Sequence, residues 1–477
     1  MIKRTYGAHP LMIVNLVKPF LFVLILPVIK GLLQYLITGR VTGLLSFEIT
    51  AAVIVLFLAV LRLRAFRVSI DGEKMIIEKG LFFKTVAVIR RERLSCVSGS
   101  QNLFDLLFSS VTYKVNTEAG AAGKTDFFFK LRKKDAKEMS GFLYGEEKRE
   151  EVRFNALKSA VFAAATSSAV TGLIVGVPII NNLGRILGVA LSGALFDEIN
   201  NASSRFDAYF PPIVNVITVT LIAGYLFSFA ISFVKMLGFR LRIGADESEV
   251  EYGLISRNRT VFKKSAVNDV CIEATPLMRL FGMFSMRAAV GGYGDKRGEK
   301  AIIVPAARHG QIKNLFREYF PFLYPDVKPV RPQKTKRNLM RFLFSARLAA
   351  AADIAATVIL SLLFPAVMRF LIFSGAAVMA GVVYYGNLCF RSYKLGRLCI
   401  SDKIFASGFK GFTVRELYCE KHRVGEIIIT ETPADRRYGT CKAEIAVCSE
   451  SADKIKVRNI SRRKTLAQIE KAFGISV

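Results

Sequence analysis

The sequence predicts a helical membrane protein with six spans in three pairs, each pair followed by a strand-rich polar segment that closes with a helix. Three observations carry this. The composition is at once apolar and basic; six runs are long enough to cross a bilayer; and one phrase returns, as TPLMRLFG from Thr275 and TPADRRYG from Thr432.

The chain has 477 residues, of which 52% are hydrophobic, yet it carries 68 Lys and Arg against 38 Asp and Glu, a net charge of +30. Mean hydropathy is +0.36, too apolar for an ordinary soluble protein of that charge, so greasy and basic regions must be segregated. A hydrocarbon core of about 30 Å takes roughly 20 apolar residues. The expected spans are Phe20 to Ile37 with Leu44 to Leu61, Ser159 to Ile180 with Ile213 to Val234, and Leu348 to Phe364 with Leu371 to Tyr385. The long first run and the lack of a small-residue cleavage site argue against a cleaved signal peptide.

Basic residues close to the span ends set the expected orientation. They cluster after the second span (Arg62, Arg64, Arg67), after the fourth (Lys235, Arg240, Arg242) and after the sixth (Arg391, Lys394, Arg397). The approach to the fifth is also rich, whereas the connections inside the first and third pairs hold only Arg40 and Arg369. Both termini and all large polar segments are therefore expected in the cytoplasm. Seven irregularly spaced cysteines make no disulfide framework, and all but Cys389 fall in segments that this topology assigns to the reducing cytosol.

Each polar segment repeats the same order of events. Alternating residues flank a glycine (Gly80, Gly253 and Gly408), which reads as a β-hairpin because glycine accepts the positive φ of a tight turn. Next comes QNLFDLLFSS from Gln101, TPLMRLFG or TPADRRYG, read as one helical turn: threonine as N-cap, proline at the first helical position, glycine as the stop. A further strand follows, then an amphipathic helix marked by Met139, Phe142 and Leu143, by Ile312, Leu315, Phe316 and Tyr319, and by Leu466, Ile469 and Phe473. The expected domains are a transmembrane pair at 11–63, a module at 64–150, a second pair at 156–236 with an external insertion at 181–212, a module at 238–328, a third pair at 345–390 and a module at 391–477.

Two spans, a glycine-centred hairpin, a short helix of the form (Q/T)-x-L-x-x-L-hydrophobic-G, a strand and a terminal amphipathic helix resemble the bacterial pleckstrin-homology domains, and three such modules resemble the YdbT-like multi-pass membrane proteins. The resemblance covers essentially the whole chain, best in Arg67 to Gly120 and Arg240 to Gly294. It implies three PH-like modules, each a small β-barrel or bent double sheet plugged by its C-terminal helix, in a bacterial plasma membrane, with a second membrane protein of the family as a candidate partner. It brings no catalytic residues. Two departures are Phe108, where the first short helix should end in glycine, and Asp435, Arg436 and Arg437, which replace the apolar centre of the third.

Catalytic signatures are missing from the sequence. No G-x-x-x-x-G-K-[ST], H-E-x-x-H or G-x-S-x-G occurs, and GGYGDKRGEK from Gly291 follows a strand and opens no helix, as a polar hairpin does. Cys419 and His422 in CEKH lack a second ligand pair unless Cys441 and Cys448 supply it, and are read as scattered thiols, so neither a metal nor a cofactor is expected. Ionisable residues inside spans mark function by default, which singles out Lys30, Glu48 and Asp353 for a transport or relay role, against snorkelling and pairing as the plainer account. AAATSSAVTG and AAAADIAAT read as helix-packing surfaces.

Basic clusters remain: Arg90, Arg91 and Arg93; Arg257, Arg259, Lys263 and Lys264; and Lys454, Lys456, Arg458, Arg462, Arg463 and Lys464. Near an anionic leaflet each such residue contributes about 1 kcal/mol, so anionic lipid headgroups or a partner protein are the expected contacts. Nucleic acid is not, because no stacking aromatics interleave. The expected function is a membrane-anchored binding or scaffolding protein, not an enzyme, serving envelope maintenance or stress tolerance; the alternative is a transporter or channel with regulatory modules.

Overall fold

The computed structural model describes residues 4–18, 45–117, 125–144, 150–187, 190–207, 211–294, 299–333, 336–448 and 454–474. Three units follow one another. The first has β1 (Arg4–Gly7), α1 (Met12–Val17), α2 (Leu45–Ala65), β2 (Arg67–Asp71), β3 (Lys74–Lys79), β4 (Thr85–Arg90), β5 (Leu94–Gln101), α3 (Leu103–Leu107), β6 (Ser110–Thr117), β7 (Phe127–Arg132) and α4 (Lys133–Tyr144). The second has β8 (Glu150–Arg153), α5 (Ala156–Thr166), α6 (Ala169–Leu187), α7 (Leu191–Ser204), α8 (Pro212–Met236), β9 (Arg240–Ile243), β10 (Glu247–Tyr252), β11 (Arg257–Lys263), β12 (Val267–Ala274), α9 (Pro276–Leu280), β13 (Met283–Val290), β14 (Ala301–Arg308) and α10 (His309–Tyr319). The third has α11 (Lys336–Leu363), α12 (Met368–Leu395), β15 (Arg397–Cys399), β16 (Lys403–Lys410), β17 (Thr413–Glu420), β18 (Val424–Thr430), α13 (Pro433–Tyr438), β19 (Thr440–Val447), β20 (Lys454–Ser461) and α14 (Arg462–Phe473).

Six spans in three pairs are not what the structure shows. Among the described residues three helical segments are long and apolar enough to cross a membrane, Pro212–Met236, Leu339–Leu363 and Pro365–Leu395, and a fourth exists only if α5 and α6 count as one span bent by 99°. The expected run Phe20 to Ile37 lies outside the described residues; Leu44 to Leu61 falls largely in α2. The break in Ser159 to Ile180 has a local cause. Thr166 Oγ1 and Ser167 Oγ donate back to the carbonyls of Phe162 (2.9 Å) and Ala163 (2.6 Å), and Ser167 leaves the helix in an extended conformation. Such bonds offer the backbone an alternative to the helix, which an average of hydropathy does not register.

The small residues do allow close crossings. A Cβ on Gly172 of α6 would collide with the carbonyl of Gly224 in α8, and one on Gly375 of α12 would collide with Thr357 of α11.

Each helical insert is strung between two strands that pair with one another. Tyr6 faces Val68 in β1 and β2, Val152 faces Leu241 in β8 and β9, and an isolated bridge joins Val330 to Leu398. The chain thus leaves a sheet, passes through helices and returns antiparallel beside its own departure point.

The β units fit PH-like modules, but they share sheets instead of closing separately. The first sheet runs β1-β2-β3-β4. The second runs β7-β6-β5-β11-β10-β9-β8, so the second half of unit one continues into the first half of unit two. The third runs β14-β13-β12-β17-β16-β20-β19-β18, with β15 on β16. Each core lies between two half-sheets and the closing helix: Val68, Met75 and Ile77 meet Val115, Phe129 and Met139 in unit one, while Ile312 and Phe316 of α10 fill unit two. Ile469 of α14 does the same in unit three. Every such side chain fully buried contributes about 2 kcal/mol.

The hairpin glycines hold in two units of three. Gly80 (φ 111°) and Gly253 (φ 103°) end β3 and β10 in a conformation that strains other residues. Gly408, however, lies inside β16, where a Cβ would collide with the Lys456 carbonyl of β20, and Gly411 (φ 58°) makes the turn. The stop of the first short helix is also displaced by one residue: Ser109 (φ 51°), not Phe108, occupies the left-handed position that Gly282 (φ 65°) and Gly439 (φ 61°) hold in the other units.

Candidate functional site

The three short helices are built alike. Thr275 Oγ1 accepts from Met278 N, and Thr432 and Asp435 form a reciprocal capping box, as Asn102 and Asp105 do in the first unit. In unit one the buried Asp105 Oδ1 also takes bonds from Ser110 Oγ (2.6 Å) and Lys130 Nζ (2.8 Å). In unit three Thr440 takes the place of Ser110, and the cation comes from a membrane-spanning candidate: Arg341 of α11 donates to Asp435 Oδ1 (2.7 Å) and Thr432 Oγ1 (2.8 Å). Burial acts to raise the Asp435 carboxyl, but Arg341 and Thr432 hold it down to about 2. Asp435, one of the three residues that replace the apolar centre of the third short helix, is what docks that helix to α11.

Beside that pair opens a cleft of about 740 Å³ between α11, α12 and the third sheet. Arg341, Lys410, Lys442, Lys454, Lys456 and Arg458 line it, against only Asp435 and Glu444. Asp435 is occupied by Arg341, Glu444 is shared by Lys442 (3.6 Å) and Lys456 (3.4 Å), and Lys454 also meets Glu426 of β18 (3.7 Å), yet basic lining residues still outnumber the acids. Tyr385 and Leu388 of α12 give it an apolar wall. Phosphate-bearing anions suit such a wall of ammonium and guanidinium donors.

The clusters singled out from the sequence fare differently. Arg259 is consumed by the buried Glu249, which it meets through Nε (2.7 Å) and Nη2 (3.0 Å) while Arg242 contributes a third bond (2.8 Å). Lys263 donates to the Glu92 carbonyl, and with Arg91 it lines one shallow hollow where units one and two meet. Arg90, Arg93 and Arg257 are exposed and Lys264 is half-buried. These residues therefore surround a junction and do not form a pocket. The strand carrying Lys454, Lys456 and Arg458 does.

Lys30 lies outside the described residues, as does the side chain of Glu48 in α2; Asp353 is half-buried in α11. All seven cysteines are free; Cys419 and Cys441 are buried, with burial pushing the Cys441 thiol up to about 11, while His422 sits by Glu420.

One feature had no counterpart in the sequence reading. The hairpin tips and short helices carry bare apolar side chains, among them Phe83 (91% exposed), Leu107 (76%) and Leu280 (79%). Arg279 of α9 reaches the Tyr384 hydroxyl of α12 (3.3 Å), and the Phe412 hairpin ring lies 6.1 Å from the Tyr384 ring, so the second short helix and the third hairpin adjoin a membrane-spanning candidate.

The Bacterial PH domain family matches residues 14–146 and 184–319, together more than half of the chain. The chain is also similar to the transmembrane protein YdbT of Bacillus subtilis (strain 168), 20% identical over 314 residues, 60% of this chain and 62% of that one. It thus spans somewhat under two thirds of the length of the curated relative it matches. No solved structure matches. With apolar helices strung between paired strands, and half-sheets closed by a helix, the chain belongs to the bacterial PH domain family.

Proposed function

We propose that this membrane protein is a binding component, not an enzyme, whose third PH-like unit holds an anionic lipid headgroup in the cleft of Lys442, Lys454, Lys456 and Arg458. The observation that carries this reading is the surplus of six basic over two acidic lining residues against membrane-candidate helices. The bare apolar tips support it, since Phe and Leu beside a bilayer enter the interface while cations meet phosphates. In this reading the β units face the cytoplasm of a bacterial cell, where the anionic leaflet and the basic span ends coincide. Retention of headgroups by such units suits a scaffold in envelope maintenance.

Native mass spectrometry of the full chain, extracted from its own membranes, tests this. The wild type is expected to retain phosphatidylglycerol or cardiolipin, and the triple variant Lys454→Gln, Lys456→Gln, Arg458→Gln to lose about tenfold or more of it, at about 1 kcal/mol for each charge removed. Equal retention by both proteins sinks the reading.

A further inference from the structure

We infer that a second copy of this chain docks head to tail, its β4 pairing with the open edge of β18. The three units are joined by two strand junctions of identical construction. A single 3-10 turn precedes β5, β12 and β18 alike: Arg91–Arg93, Lys264–Ala266 and Lys421–Arg423. Counted from these turns, Val97 of β5 and Val270 of β12 are equivalent, as are Val261 of β11 and Tyr418 of β17. In the first junction Val97 faces Val261, and in the second Val270 faces Tyr418, so the register repeats without a slip.

Each junction does the same packing work. Val261 belongs to the second unit but is buried in the core of the first (4% exposed), and Tyr418 of the third is buried in the core of the second (3%). Side-chain bonds cross both seams: Ser98 Oγ and Thr260 Oγ1 lie 3.0 Å apart in one, and Arg415 Nη2 and Glu273 Oε2 3.0 Å apart in the other.

At the ends of the array the same two edges are left over. Among the described residues β4 pairs only with β3, and β18 only with β19. Val88, the equivalent of Val261 and Tyr418, is 59% exposed, and Ile427, the equivalent of Val97 and Val270, is only half-buried against the third core. Neither strand has the proline or inward lysine that protects an edge from pairing. Glu426 would take the place of Asp269, an acid already accommodated at the second junction by Lys300 at 2.5 Å. The occupant is a second copy because this chain carries both complementary edges: applying the junction register once more sets Val88 of one copy opposite Ile427 of the next. Such a contact is heterologous and produces rings or rows. The edge touches the cationic cleft at one point, where Lys454 lies 3.7 Å from Glu426 Oε2.

Differently tagged full-length copies, one bearing Val88→Cys and the other Ile427→Cys, both with the exposed Cys448 changed to serine, are co-expressed and treated in native membranes with a short bismaleimide. A covalent dimer from the mixture, with none from either copy alone, is the expected result. No dimer from the mixture, dimers of one variant with itself, or capture of Ile427→Cys by a different polypeptide overturns the proposal. A second variant, Val86→Lys with Val88→Lys, changes only exposed side chains and is expected to abolish assembly on native gels; assembly that persists also overturns it.

Discussion

Arg341 Nη1 lies 2.7 Å from Asp435 Oδ1, so a side chain of α11 completes the capping box of a helix in the third β unit. The contact ties α11 to the third β unit, and the cationic cleft opens beside it.

Removing the cation leaves Asp435, 8% exposed, with its charge uncompensated. Arg341→Met is expected to destabilise the third unit by about 3 kcal/mol, the lower end for a broken buried pair because Thr432 and Thr440 still donate. In the double variant with Asp435→Asn the two losses should not add. Thermal denaturation in detergent of the four proteins checks both statements.

The same carboxyl predicts a pH dependence. Burial raises it, but Arg341 and Thr432 bring it to about 2. A carboxyl lowered below its unfolded value near 3.9 contributes stability that is complete above that pH and is lost as the pH falls from about 4 through about 2. The gap in Tm between wild type and Asp435→Asn should therefore be constant from about pH 7 to about pH 5 and close below about pH 4. A gap that instead opens on acidification would contradict the assignment.

Ser109 adopts φ 51° where the other units have glycine. Ser109→Gly is expected to stabilise by about 0.5–1 kcal/mol, and Gly439→Ala to destabilise by about 1 kcal/mol, since only glycine enters this region without strain. Denaturation of the two variants against wild type measures the pair of opposite signs.

Gly408 lets β16 and β20 approach where Phe409 pairs with Lys456. Gly408→Ala is expected to cost about 2–3 kcal/mol by forcing these strands apart, and to weaken anionic lipid retention because Lys456 moves with β20. Gly411→Ala should lower stability less, since a Cβ at its φ of 58° meets no neighbour, and should reduce lipid retention less. Lipid retention measured alongside Tm separates the two.

What the sequence made legible was local. Thr-Pro at 275–276 and 432–433, glycines at 282 and 439, and Met139, Ile312 and Ile469 at helical spacing each announce their element within a few residues. The strands β1 and β8 did not, because RTYG and EEVR are short and partly charged, and their partners Arg67 and Arg240 stand far along the chain. Sheet sharing escaped for the same reason: nothing in β5 names β11 as its neighbour. The bend at Ser167 was hidden by a run whose composition is uniform although its hydroxyls are not inert. At the site, Lys454, Lys456 and Arg458 were legible as charge, whereas Arg341 read only as a span flank until the fold brought it to Asp435.

The most direct test of the headgroup reading is labelling of the full chain in native-like bilayers with photoactivatable phosphatidylglycerol and, separately, phosphatidylcholine of the same acyl chains, followed by peptide mapping. The account predicts adducts from the anionic probe on the peptides that carry Lys410, Lys442 and Lys454 to Arg458, and none there from the zwitterionic probe. Identical maps from both probes, or adducts confined to α8, α11 and α12, would contradict it.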